Sequence, residues 1–153
     1  MTCPPLDEFQ IGWICALPIE AAAACAMIDT NFGNLDEQPA ADSNIYTLGK
    51  IGKHNVVIAC LPAGRIGPIS AATVADNMVR TFSKSLRIAL MIGIGGGIPS
   101  ADHDIRLGDI VISTPVDSCG GVVQYDMGKF IAGGEFHHTG SLNSPPRSLL
   151  NAV

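Results

Sequence analysis

Charge and aromatic rings are what this chain has least of. Only 15% of its 153 residues are charged and 5% are aromatic, with one Trp and two Tyr. Nine Lys plus Arg against fourteen Asp plus Glu leave a formal net charge of −5. No Lys/Arg cluster occurs, whereas nucleic-acid binders usually carry a basic patch, so DNA and RNA are not expected partners. Disordered chains are polar and charge-rich, and at 47% apolar this one is neither. The five cysteines (Cys3, Cys15, Cys25, Cys60 and Cys119) are odd in number and form no CxxC. They read as free thiols of a reducing compartment, and a cytoplasmic location is expected. The apolar stretch Ile11–Ile28 lacks a basic lead, follows Asp7–Glu8 and contains Pro18 and Glu20. A signal peptide begins with positive charge and a carboxylate in mid-membrane is costly, so a soluble chain without a membrane partner is expected. GxSxG, GxxxxGK[ST] and a dinucleotide GxGxxG are all missing. Nothing near His137–His138 completes a zinc set. Neither metal nor cofactor is expected.

What the chain does have is 17 Gly and 10 Pro, which demand sharp turns and close backbone approaches. The length suits one ordinary domain or a piece of a larger one. Residues 1–10 form a lead-in without periodicity, and 11–153 the domain portion. Ile11–Leu17 (IGWICAL) is apolar without alternation, as in a strand covered on both faces. Pro18 suits the first position of a helix, and the Ala-rich Ile19–Asp29 continues it. Thr30–Ser43 is expected to be a polar loop. Asn44–Gly49 and Val56–Leu61 read as two strands of a hairpin, and Ile69–Phe82 as a helix after the turn PAGRIGP. Arg87–Ile92 is another buried-type strand, and Ile110–Ser113 is expected to be a further one. Asn143–Val153 opens a helix. Strand and helix alternate as in an α/β sheet with crossover helices.

Three strand ends attract chemical interest, because open α/β sheets bind ligands outside the carboxyl ends of their strands. Gly93-Ile94-Gly95-Gly96-Gly97 follows a buried strand, and consecutive glycines let backbone N–H groups face a ligand. A tight structural turn is the alternative. Gly64-Arg65-Ile66-Gly67 joins a strand to a helix, where an arginine beside a helix N-terminus can receive an anion or a sugar hydroxyl. A salt bridge to an acidic neighbour would equally occupy Arg65. Glu20 lies one turn into a helix among Ala, Cys and Ile. Burial would raise its pKa and the helix N-terminus would lower it. The residue is either a general acid or base or a first-turn glutamate that stabilises the helix dipole and points to solvent. Trp13, Tyr46 and Tyr125 read as core or pocket lining, and Asp109 as a turn residue.

The segments IGWICALPIEAAAACAMID (11–29), NIYTLGKIGKHNVVIACLPAGRIGPISAATVA (44–75) and ALMIGIGGGIPSADHDIRLGDIVIS (89–113) together resemble the nucleoside phosphorylase and nucleosidase superfamily. The resemblance is greatest to the fungal domain found at the N-terminus of NOD-like multi-domain proteins. GGVVQYDMGK (120–129) and TGSLNSPPRSLL (139–150) are similar to the same branch. The resemblance implies a three-layer α/β/α sandwich around a mixed, partly barrel-like sheet. It implies cleavage of the N-glycosidic bond of a purine-type nucleoside, with water or phosphate as the attacking group, and assembly into homo-oligomers. The glutamate that positions and deprotonates the attacking water in the nucleosidase pattern falls on Glu20. The strand end along base and ribose falls on Ile94, Gly95, Gly96 and Gly97, and the turn near the nucleophile on Gly64, Arg65 and Gly67.

Two departures qualify this. Ile94 stands where nucleosidases typically have Ser, and no arginine immediately precedes Gly93, so water is better supported than phosphate. The family's second half supplies a Met-Glu pair for ribose and an Asp for the purine, neither of which appears before Val153. The expectation is therefore the C-terminally truncated front portion of a longer domain, active only in full-length context. The alternative is a non-catalytic nucleoside-sensing or interaction module.

Overall fold

The computed structural model describes residues 2–140 and 142–153. They fall into two compact units, one ending at Gly96 and one beginning at Gly97. In the first, β1 (Ile11–Cys15), β2 (Thr30–Asn34), β3 (Tyr46–Ile51), β4 (His54–Cys60) and β5 (Ile88–Met91) form one sheet in the order β2-β3-β4-β1-β5. The β1–β4 and β1–β5 pairs are parallel, and β2–β3 and β3–β4 are antiparallel. Two helices accompany the sheet, α1 (Pro18–Ala26) and α2 (Pro68–Thr81).

The unalternating apolar runs are explained by a helix on each face. Ile14, Leu48, Val57 and Ala59 pack with Val74 and Met78 of α2. Cys15, Val56 and Ile58, of opposite parity, pack with Ala24 of α1. This is the expected α/β/α layering around a mixed sheet. Gly12 permits the α2 layer to come close, since a Cβ there would lie 2.5 Å from Met78 Sδ. Beneath α2, Phe9, Tyr46 and Phe82 are fully or almost fully buried in edge-to-face contacts, with Phe82 centroids 6.2 Å from Phe9 and 5.2 Å from Tyr46.

A buried polar group locks the loop before β3 to α2. Asp42 accepts from Tyr46 Oη at 2.7 Å, from the Asn44 N–H at 2.9 Å and from the Thr81 hydroxyl. Burial, then the adjoining Asp42 carboxylate, raises the pKa of the Tyr46 phenol.

Several expectations need correction. Thr30–Ser43 is not all loop, because Thr30–Asn34 pairs with β3 as an edge strand. Its register shifts between Asn31 and Gly33, and Phe32 is its one large apolar side chain. α1 ends at Ala26 rather than Asp29. The lead-in contains a 3₁₀ turn, Leu6–Glu8, that delivers Phe9 to the core.

The second unit contains the hairpin β6 (Gly128–Phe130) and β7 (Phe136–His138), and the short α3 (Arg147–Leu150) in place of a helix over 143–153. The expected strand Ile110–Ser113 does not form. Ile110 and Val111 are exposed, and no ladder partner is present for them among the described residues. An apolar β-branched run becomes a strand only when another strand takes its backbone groups.

Candidate functional site

The parallel register brings the carboxyl ends of β1, β4 and β5 to the same end of the sheet. Cys15 at the end of β1 lies beside Cys60 at the end of β4, and Ile14 lies beside Met91 of β5. The chain beyond β1 leads to Glu20, beyond β4 to Gly64–Gly67, and beyond β5 to Gly93–Gly97. These carboxyl ends are where open α/β sheets present ligand-binding loops.

Pro18 opens α1 because its missing N–H would have no helical partner there. That places Glu20 at the third helical position, where a glutamate can reach back to the backbone ahead of the helix. Its Oε2 accepts from the N–H groups of Ala16 and Leu17, each at 2.8 Å. Its Oε1 accepts from the Ile94 N–H at 2.7 Å. Glu20 is 8% exposed. It is thus a capping glutamate that turns inward and clasps the neighbouring strand end, rather than one directed to solvent. The Ile94 N–H is the main reason the carboxyl is held below the ordinary glutamate range. Burial opposes this, and the Leu17 and Ala16 N–H groups reinforce it. An ionised group with a lowered pKa suits an orienting acceptor or a weak base and is unsuited to act as an acid.

Gly93 makes the clasp possible. A Cβ there would stand 2.5 Å from Glu20 Oε1 and 2.8 Å from Cδ. Gly95 and Gly96 differ: neither has a positive φ, and a Cβ on either would meet nothing within 4 Å. Gly97 begins the second unit, where a Cβ would press on Ile105. Ile94, Gly95, Gly96 and Gly97 are all exposed.

The β4 end does require glycine. Gly64 has φ +74° and Gly67 +102°, and Gly67 is the residue from which α2 starts. Arg65 is exposed, and no ion pair holds it among the described residues, so the salt-bridge alternative is not realised there. No hydrogen bond joins Arg65 to Glu20 among those residues. The structure therefore brings Glu20 and Ile94 into contact and leaves Gly64, Arg65 and Gly67 one strand away.

Sequence reasoning missed the three N–H donors, the steric role of Gly93 and the burial of Asn44 beside the β4 turn. A glutamate two residues after Pro18 was a signal for the cap; the Ile94 bond, spanning 74 positions, had none. Beneath Glu20, burial pushes the Cys15 thiol up to about 11, helped by the adjacent Cys60 and Glu20. No group of three or more His, Cys, Asp or Glu is placed to hold a metal among the described residues. His137 and His138 lie on β7, and a ring nitrogen of His138 sits 2.9 Å from the Tyr125 carbonyl oxygen. No helix among the described residues is long and apolar enough to cross a membrane.

Residues 10–149 match the model of the phosphorylase superfamily, and the chain belongs to that superfamily. Over 147 residues it is 59% identical to a nucleotide-binding leucine-rich repeat (NLR)-like protein of Hyaloscypha variabilis. That match covers 96% of this chain, which spans 14% of the relative's length. A solved structure, the Streptococcus pneumoniae MTA/SAH nucleosidase in complex with 8-aminoadenine, aligns at 24% identity with a TM-score of 0.39. The alignment covers 56% of this chain and 32% of that one.

Proposed function

We propose that this chain supplies the nucleophile side of a site that cleaves the N-glycosidic bond of a purine-type nucleoside, with water as the attacking group. The observation that carries this is Glu20, a buried, ionised carboxylate held at the junction of two strand ends in a chain of the phosphorylase superfamily. A carboxylate has about four lone-pair sites, and three backbone N–H groups occupy three of them. The fourth can accept one proton of a water and aim its oxygen at the anomeric carbon. The negative charge also favours the positive ribosyl transition state. In this reading Ile94, Gly95, Gly96 and Gly97 run along the nucleoside. Gly64, Arg65 and Gly67 frame the nucleophile's side, where Arg65 would also meet a phosphate nucleophile.

The test is base release from adenosine, inosine and 5′-methylthioadenosine, with and without phosphate, by the chain and by a longer protein that carries it. Release without phosphate, abolished by Glu20→Gln, is expected in the longer protein. Its acid limb should fall below the ordinary glutamate range, following the lowered pKa of Glu20. No release in either condition rejects the catalytic reading.

A second reading is a nucleoside-sensing module without turnover. The three N–H groups already held by Glu20 favour it, because they make the carboxylate a structural clasp whether or not a substrate is present. The NLR-like character of the Hyaloscypha relative agrees with it. Calorimetric binding of adenosine with no base release from any of the three nucleosides would select this reading.

A further inference from the structure

The segment Asn143-Ser144-Pro145-Pro146-Arg147 takes no part in the Glu20 site. It belongs to the second unit and leads from β7 into α3. Ser144 is followed at once by proline and, three positions on, by a cation. A residue ahead of proline is pushed toward extended backbone, and Pro146 has φ −57° and ψ 144°, close to the polyproline II conformation. Ser144 and Arg147 are exposed, and Ser144, Pro145 and Pro146 belong to no helix or strand. Gly120 rests against the main chain here, where a Cβ would stand 2.1 Å from the Leu142 carbonyl oxygen and 2.9 Å from the Ser144 nitrogen. Arg147 opens α3, whose four residues are far fewer than an isolated helix needs to persist in water. No ion pair engages Arg147 among the described residues.

Thr114 is the other hydroxyl residue followed directly by proline, and it too is exposed. Its surroundings differ in charge and shape. The third residue after it is the acidic Asp117, at φ +51°. The second, Val116, exchanges both backbone hydrogen bonds with Cys119, at 3.0 and 2.9 Å. That turn cannot straighten without losing both bonds, whereas the chain around Ser144 is already extended.

We propose that Ser144 is the phosphoryl acceptor of a proline-directed protein kinase that reads a cation three residues beyond the acceptor. Such a cleft takes its substrate as extended chain. It tolerates proline next to the acceptor because it asks for no N–H there, and charge at the later position separates one substrate from another. Ser144 Oγ attacks the γ-phosphorus of ATP, and its proton passes to the kinase's catalytic base. The bond from that phosphorus to the bridging oxygen breaks, and ADP leaves. The product carries about −1.5 to −2 added charge at pH 7. The assignment is independent of the nucleoside reading and uses none of its residues.

The 153-residue chain, treated with Mg-ATP and a cyclin-dependent kinase, serves as substrate, with the product separated by anion exchange and mapped by mass spectrometry. One phosphate should enter, at Ser144, and Thr114 should stay unmodified. Ser144→Ala should abolish incorporation. Arg147→Gln, at an exposed position and with circular dichroism unchanged, should lower kcat/KM for phosphorylation at least about tenfold, the loss of one charged contact. Incorporation at Thr114 in place of Ser144, or indifference to Arg147→Gln, would overturn the proposal. So would modification of Ser144 only after the chain is unfolded in urea and diluted into the assay, because the folded protein would then withhold the residue. Base release plays no part in the readout, so this assignment and the Glu20 reading fail separately.

Discussion

Replacing Gly93 with alanine tests the Glu20 clasp, because the new Cβ must share space with the carboxylate. It would lie 2.5 Å from Oε1, 2.8 Å from Cδ and 3.0 Å from Oε2. Glu20 cannot give way while keeping its bonds to Ala16, Leu17 and Ile94. The bond most exposed to this displacement is the one to Ile94, which uses the same oxygen that the Cβ meets first. A hydrogen bond to a charged group contributes about 1.5–3 kcal/mol. Alanine returns about 0.4–1 kcal/mol by restricting the unfolded chain, since Gly93 has no positive φ. The net loss should be about 0.5–2.6 kcal/mol, read as a lower urea midpoint at unchanged slope.

The sharper result comes from a double-mutant cycle. In a Glu20→Ala background the obstructing carboxylate is gone, and Gly93→Ala should become neutral or stabilising by about 0.4–1 kcal/mol. The titration of Glu20 supplies an independent readout. Its carboxyl lies below the ordinary value chiefly because of the Ile94 N–H, so Gly93→Ala should move it upward. A depressed folded pKa contributes stability that is complete above the unfolded value, about 4.3. That contribution is lost as pH falls through the lower folded value. The variant should therefore lose less stability than the wild type across that acid window. Equal costs of Gly93→Ala with and without Glu20, or an unmoved Glu20 titration, would refute the clasp.

Gly95→Ala and Gly96→Ala should change stability by no more than about 0.5 kcal/mol, because neither glycine has positive φ or a neighbour near its Cβ position. A loss of nucleoside binding in these variants at unchanged urea midpoint would assign the two glycines to ligand contact; unchanged binding would remove them from the site. Tyr46→Phe should cost about 1–3 kcal/mol in urea unfolding, since it strips Asp42 of a buried donor and Asn44 Nδ2 of an acceptor. A cost near zero would mean that network contributes nothing net. Native chain at pH 8 should react with a thiol reagent at exposed Cys3 and leave Cys15, which is 0% exposed with a thiol pushed up to about 11, unmodified until unfolding. Mass mapping that finds Cys15 labelled early would contradict its burial.

Much of the layering was legible because burial on two faces writes itself into a strand. IGWIC and VVIAC lack alternation, and each is covered by helices on both sides. Pro18 and Pro68 marked helix starts for the physical reason that a first-turn N–H is dispensable. Thr30–Asn34 was hidden because an edge strand with one large apolar side chain and a register shift has almost no pattern to show. Ile110–Ser113 misled in the opposite direction. Its composition suits a strand, but pairing is a property of two segments and none pairs with it among the described residues. Phe9 looked like part of a featureless lead-in, yet its ring completes the aromatic cluster with Phe32 and Phe82.

Glu20 was conspicuous as a carboxylate among Ala, Cys and Ile, but its two sequence readings were framed as exclusive. The structure makes the cap and the inward-facing group the same object. Two of its bonds are local and follow from its place in the first turn of α1. The third depends on β1 and β5 being parallel neighbours, which sets the Gly-rich strand end against α1. The same bond does most to keep the carboxyl ionised. Whatever acidity this group brings to chemistry is thus set by the strand order as much as by residue type. The glycine beside it is required to make room for the carboxylate, whereas at Gly95 and Gly96 a Cβ would meet nothing within 4 Å.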